Sequence, residues 1–575
     1  MILWIYNRET GAVVFRQVLN QYGIEQSLPK ALIDAADSWD AKQFGTLLID
    51  ESGKKGTHVV RFDDGDLRLL PGDAISDDNF VTMLARAKHE TRRRLTNWAS
   101  QTSAPVSLSI CAEADVRDVS VIITCHNYEE YLVECVQSLT NTKIPPREII
   151  VVHDACDELP GAHQSVLSTF HPNLRVVETD FGNSALARNY GASLASGSLL
   201  LFFDADDAVE PEFLSILATA FNDPRVAISY PTVQMFGAKT DRRSAMPFDR
   251  DALWEGNYIP VAAIVRADVF CATGGFDSNL PCYRDWDLWL RIVQQGWLAS
   301  ARPDAVLRYR KHPGQLSEQH NEKAYGMVIQ KNARVCIVSA FDDKAYCLTE
   351  HLHSILAFGL DPSHIEISLI DNSHSKDIRH ELIQYHALFA DKYAAAEIVN
   401  RNGLPVLDRT AQQYSKDVSR RMVDLYWDIP WRTSAEFSLV YENDVCAPGD
   451  TVTKLLEAMS QRIGAVCAAV NARPQDGSAS SPGLQAWQYK SHVPPRIDFT
   501  DRVVINSDEP MSIGTSAFSC VLIRNSAWRK TRLRAAPPIW AFDGTFGHDL
   551  WQLGYKYLLH PGVHCRHMIA EGRYV

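Results

Sequence analysis

Ser198-Leu199-Leu200-Leu201-Phe202-Phe203-Asp204-Ala205-Asp206-Asp207 is an apolar run of strand length that ends in three carboxylates. A run this short, closed by acids, reads as a fully buried strand, and such strands belong to sheets covered on both faces. The flanking residues keep the same rhythm. VSVIIT (119–124) leads into a helix pattern from Tyr128, EIIVV (148–152) and LRVVE (174–178) follow, and a further helix pattern crosses Ala185–Ala195. Strands alternating with helices predict an α/β domain with a mostly parallel, Rossmann-like sheet over 116–328. Ligands in such sheets sit at the carboxyl ends of the strands, so polar residues just past a strand are the candidate site.

The rest of the chain sorts around this domain. Residues 329–575 open the same way, with RVCIVSAF (334–341), a helix pattern across Thr349–Ala357, EISLIDNS (366–373) and, later, FSLVYENDV (437–445). An apolar strand that again ends in acids reads as an internal duplication, giving a second α/β domain in tandem. Residues 1–115 carry strand-like MILWIY, AVVFRQV, GTLLID and THVVRF, turn signals at Glu51-Ser52-Gly53 and Asp63-Asp64-Gly65, a helix pattern at 78–99 and the polar linker SQTSAPVS. They predict a small, mostly β accessory domain.

The 575 residues carry a net charge of -13, which disfavours a nucleic-acid partner. The lone basic run, Arg92-Arg93-Arg94, fits one turn of a solvated helix face. No apolar run approaches the roughly 18 residues of a membrane span, and the start lacks the pattern of a signal peptide. Twelve cysteines without a CxxC pair read as reduced thiols. Together these features point to a cytoplasmic protein, with peripheral attachment to the inner face of a membrane left open.

Three carboxylates within four residues repel one another unless a solvated turn or a cation offsets them. Mg²⁺ and Mn²⁺ prefer carboxylate and phosphate oxygens, so Asp204, Asp206 and Asp207 form a candidate cation site. The competing reading is a cap for the helix entered at Pro211 and Glu212.

The middle region resembles family 2 inverting glycosyltransferases of GT-A fold. The resemblance rests on VSVIITCHNY (119–128), EIIVVHD (148–154), ARNYG (187–191), DADD (204–207), GGFD (274–277), RDWDLW (284–289) and YRKH (309–312), all in the family's order. It implies that Asp154 and Arg188 help bind a nucleotide sugar and that Asp204 contacts the ribose. Asp206, Asp207 and His312 would hold Mn²⁺ or Mg²⁺, and Asp285 would be the general base, with Asp287 next in line. A helix cap for Asp285 and a structural role for His312 remain the alternatives. Two departures from the family pattern stand out, Arg284 beside Asp285 and His153 beside Asp154.

The third region is a weaker match to the same order of features. It offers Asp371 in place of Asp154, Glu442 and Asp444 as the acid pair, Asp543 as base, and His567 (with His564 second) as metal-proximal histidine. Eleven positions separate Asp285 from Gly296 and also Asp543 from Gly554, which ranks Asp543 above Asp549.

The implied activity is sugar transfer from a nucleoside diphosphate sugar, a UDP-sugar by preference, to a hydroxyl of a glycan acceptor. Two active sites would serve the synthesis of a surface polysaccharide or glycoconjugate. One active domain with an acceptor-binding copy, decorating a protein, a lipid-linked glycan or a modified nucleic-acid base, is the alternative. A non-catalytic glycan- or nucleotide-binding protein is the rival from another class. A nucleotidyltransferase is disfavoured because TCHNYEEYL (124–132) lacks a glycine-rich phosphate loop.

Overall fold

The computed structural model describes residues 118–156, 167, 169–312, 322–401, 414–471, 484–488, 501–502, 505, 507–534, 542–570 and 573–574, together with four short N-terminal strands. Those strands belong to a unit spanning Met1–Ser109. They form two antiparallel pairs, Leu3–Tyr6 with Val13–Arg16 and Val60–Asp63 with Asp66–Leu69. Asp63 pairs with Asp66 across the second of these. The expected strand GTLLID, the 78–99 helix and the linker lie outside the described residues.

The second unit, Ile110–Val575, holds two large mixed sheets. The first runs in space Leu174–Thr179, Glu148–Asp154, Val119–Cys125, Leu199–Asp204, Ile264–Arg266, Val226–Gly237, Leu298–Lys311 and Ala208–Val209. The second runs Ala395–Asn400, Ile365–Asp371, Val335–Phe341, Phe437–Tyr441, Cys520–Arg524, Ile463–Val470, Lys556–Ala570 and Val445–Cys446. The two orders match strand for strand, including one antiparallel strand inserted after the fourth. Both long C-terminal strands also break register partway, at Pro231/Thr232 and at Ala468/Ala469 of their neighbours. The chain therefore contains the same α/β fold twice.

Register makes the copies comparable residue by residue. Val119 pairs with Leu199 as Val335 pairs with Phe437. Asp204, Asp206 and Asp207 therefore correspond to Glu442, Asp444 and Val445. Both copies turn from a helix of eleven residues, Arg284–Gln294 or Phe542–Gln552, into the long strand through a glycine of positive φ, Gly296 or Gly554.

The sheets share one apolar core. Trp286, Trp289, Tyr325 and Val328 pack in the same cluster as Phe437, Leu455, Leu456 and Met459. The Arg524 guanidinium, 1% exposed, crosses between copies by donating to the carbonyls of Trp254 (2.7 Å) and Ile463 (3.1 Å). Glu255 Oε1 accepts from the hydroxyls of Tyr555 and Ser526 at 2.6 and 2.8 Å. No helix among the described residues is long and apolar enough to cross a membrane.

Candidate active sites

Asp204 closes its strand at the carboxyl edge of the first sheet, and Arg188 Nη2 donates to its Oδ1 at 2.7 Å. Arg188 reaches there because its helix lies directly on the sheet. A Cβ at Gly191 would sit 2.4 Å from Ile122 Cγ2 and 3.0 Å from Val152 Cγ2, so only glycine permits that approach. Asn189 fixes the other side of the helix: its Oδ1 accepts from the Phe276 N–H at 2.9 Å, and its Nδ2 donates to the Phe276 carbonyl at 2.8 Å. The ARN and GGF segments thus form one structural unit around Arg188.

Asp206 and Asp207 follow in a tight turn. Asp206 Oδ2 lies 3.2 Å from His312 Nε2, and Asp207 Oδ1 accepts the Arg310 N–H at 2.9 Å. Burial, and then the neighbouring Asp204, raises the Asp206 carboxyl above its usual range. Asp207 is raised well above it by burial, with the charges of Asp206 and Asp204 adding. Crowded, desolvated carboxylates beside a histidine fit a hard divalent cation, whose charge offsets both effects.

Asp285 occupies the first turn of the Arg284–Gln294 helix. Its Oδ1 accepts the Trp286 N–H and its Oδ2 accepts Asn257 Nδ2, each at 2.9 Å. Burial raises its pKa, while the nearby Arg188 charge opposes the shift. Arg188 therefore stands between the acid cluster and Asp285. Arg284 turns away, donating to the Leu280 carbonyl and to Ser184 Oγ.

Asp287 is not placed as a second base. It is fully buried and held by Arg291 Nη2 at 2.7 Å, Asn332 Nδ2 at 2.8 Å and Lys331 Nζ at 2.9 Å. Asp154 is buried too. Its carboxylate accepts from Thr179 Oγ1 and from the N–H groups of Phe181 and Asn183, so it shapes the 179–183 loop at the site.

In the second copy Asp543 sits in the first turn of its helix, with Oδ1 accepting the Gly544 N–H at 2.8 Å, the arrangement of Asp285. Burial, helped by the charge of Glu442, raises it to about 6. Asp549 is committed elsewhere, in a two-pronged pair with Arg534. Glu442 accepts from Ser519 Oγ at 2.8 Å, and its carboxyl is raised by burial and by Asp444.

Three expectations need correction. The sheet pairs Phe341 with Asp371 as it pairs Cys125 with His153, so Asp371 is the counterpart of His153. A slip of one residue moves a side chain to the opposite face. Asp371 indeed binds Arg379 at 2.9 Å, and Asn372 holds the place of Asp154 with its buried Oδ1 lacking a hydrogen-bond partner.

The histidines are the second case. Cys446 pairs with Arg566 as Ala208 pairs with Arg308, which makes His567 the counterpart of Tyr309 and not of His312. His567 Nε2 still comes within 3.5 Å of Asp444 Oδ1, while its Nδ1 lies 2.9 Å from the Asn471 carbonyl oxygen. His564 is exposed.

The third concerns the metal. Lys344, one residue before its helix as Tyr128 is before its own, puts Nζ 3.0 Å from Asp444 Oδ2 and 3.2 Å from Asp342 Oδ2. The Asp207 position is Val445. With one acid fewer and an ammonium on the remaining aspartate, Asp444 and His567 do not fit a divalent cation.

Sequence comparison agrees with this geometry. Residues 120–270 match the model of Glycosyl transferase family 2. An uncharacterized glycosyltransferase of Haemophilus influenzae is 25% identical over 225 residues, covering 36% of this chain and 69% of that protein. The pre-mycofactocin glycosyltransferase of Mycobacterium tuberculosis is 28% identical over 231 residues, covering 36% of this chain and 46% of that one. Among solved structures, S. aureus TarS 1–349 in complex with UDP-GlcNAc aligns at 15% identity and a TM-score of 0.33, over 54% of this chain and 83% of that one. That overlay is too loose to add to the strand order. Residues 120–270 are a family 2 glycosyl transferase domain, and the chain that carries them is a glycosyltransferase.

Proposed function

We propose that the chain transfers sugars with inversion from nucleoside diphosphate sugars to hydroxyl acceptors, at two sites that handle phosphate charge differently. The observation that carries this is the repeated placement of an acid pair after the fourth strand and an aspartate in the first turn of the facing helix. At the first site Asp206, Asp207 and His312 would hold Mn²⁺ or Mg²⁺, which supplies charge neutralisation for the diphosphate leaving group. Asp204 and Arg188 orient the donor, and Asp285 takes the proton from the acceptor hydroxyl. At the second site Asp543 takes that role and Lys344 supplies the positive charge. UDP-sugars remain the favoured donors. A surface glycan remains the favoured product, made on the cytoplasmic side.

The direct test pairs two variants, Asp285→Asn and Asp543→Asn, in a screen of nucleotide sugars for diphosphate release and product. Each should lose one transfer step and keep the other, and a mixture should restore the full product. If Asp543→Asn matches wild type with every donor and acceptor used, the second copy only positions the acceptor. EDTA should stop the first step, with Mn²⁺ or Mg²⁺ restoring it, and leave the second running. Loss of both steps in chelator would refute the assignment to Lys344.

Two further results are expected. A single displacement by a hydroxyl opposite the leaving group inverts the anomeric centre, which NMR of the product linkage reads directly. Asp543 works as a base only when deprotonated, so second-site transfer measured in Asp285→Asn should fall as pH drops through about 6. A flat profile across that range would assign the base elsewhere.

A further inference from the structure

Behind the first donor site, on the opposite face of the sheet, four side chains of metal-ligand type converge. Cys125 ends the Val119–Cys125 strand and pairs in register with His153, so the two side chains share a face. That face is the one covered by the Glu129–Thr140 helix, because Cys125, Ile123 and Val151 pack with Leu132, Cys135 and Val136. Glu129 opens that helix, and Cys156 follows the Glu148–Asp154 strand. One ligand atom from each of Cys125, Glu129, His153 and Cys156 lies within 4.8 Å of all the others. His153 Nε2 is 3.0 Å from Glu129 Oε1, and Cys125 and His153 are 0% and 3% exposed. Asp154, one residue further on, alternates to the other face and holds the 179–183 loop, and none of Asp204, Asp206 and Asp207 belongs to this cluster.

We propose that Cys125, Glu129, His153 and Cys156 bind a structural Zn²⁺ ion. Bonds of about 2.0–2.3 Å in a tetrahedron place ligand atoms roughly 3.3–3.8 Å apart, within reach of the observed spacing by small side-chain adjustments. Two thiolates with an imidazole are a set that selects zinc over the hard cations of the donor site. Binding breaks two S–H bonds, forms two Zn–S bonds and releases both protons to solvent, while Glu129 and His153 coordinate as carboxylate and neutral imidazole. Without the ion both groups stay thiols, since burial pushes Cys125 up and Cys156 to about 11. The second copy is the internal control. Its register counterparts of Cys125, Glu129, His153 and Cys156 are Phe341, Ala345, Asp371 and His374, so the stoichiometry is one ion per chain. The ion would pin Glu129 and His153, the neighbours of Tyr128 and Asp154, and so hold the rim of the donor site from behind.

The test is metal analysis of the full chain, purified without chelator and with any histidine tag removed. One zinc per chain is expected. It should persist in an Asp206→Asn, Asp207→Asn double variant and drop by at least half in Cys156→Ser and in His153→Gln. Cobalt-loaded wild type should show thiolate-to-metal charge-transfer absorption that Cys156→Ser lacks. Protein that stays zinc-free after loading with Zn²⁺ and dialysis, or cobalt protein without thiolate absorption, overturns the proposal. So does zinc content unchanged in both folded single variants.

Discussion

Asp285→Asn should lower first-site sugar transfer by about 10²–10⁴-fold, the contribution typical of a general base. The substitution suits the site because it keeps the side-chain shape and the hydrogen bond at the start of the helix. The oxygen of the introduced amide can still accept the Trp286 N–H, while the contact to Asn257 Nδ2 is given up, because Asn257 Oδ1 already accepts the Ile259 N–H at 3.2 Å and its amide cannot turn without losing that bond. The helix start is therefore preserved while the basic oxygen is lost. Donor binding, followed by calorimetry or fluorescence, should stay close to wild type because Asp204, Arg188 and the cation ligands are untouched. Turnover near the wild-type rate would remove Asp285 from the mechanism.

Asp287→Ala, two residues along the same helix, should fail in a different way. Its carboxylate is fully buried and neutralises Arg291 and Lys331 while accepting from Asn332. Removing one member of a buried ion pair typically costs about 3–5 kcal/mol, because the partner charges lose their compensation. The midpoint of denaturant unfolding should fall accordingly, while transfer per folded molecule changes little. An unchanged midpoint with lost turnover would make Asp287 the base after all. The pair of variants thus separates chemistry from support within one helical turn.

The α/β architecture was legible because apolar strands of five to seven residues alternate with helix patterns, and that signal is local. The first site was legible for the same reason: DADD, RDWDLW and YRKH each announce themselves over a few residues. The second site was legible only to within a residue or so. EISLID is apolar or buried on both faces, so nothing in the string says whether Asp371 or Asn372 faces the ligand; pairing with Val335–Phe341 decides it. His567 illustrates the same limit, since its position depends on a register break in a long strand. Lys344 and the Cys125–Cys156 cluster escaped because their partners lie 100 and 31 positions away.

The seam between the copies has a consequence for inheritance. A duplicated segment with a closed core of its own can be shed or exchanged by recombination at little cost. Here a cut near residue 333 would strip Arg524 of the Trp254 carbonyl, separate Glu255 from Tyr555 and Ser526, and part Arg250 from Glu436. It would also split the apolar cluster in which Trp286 and Tyr325 lie with Leu455 and Met459. Selection therefore sees the two copies as one heritable body: their pockets are free to diverge, as Lys344 and Val445 have, while the seam ties each copy's survival to the other's.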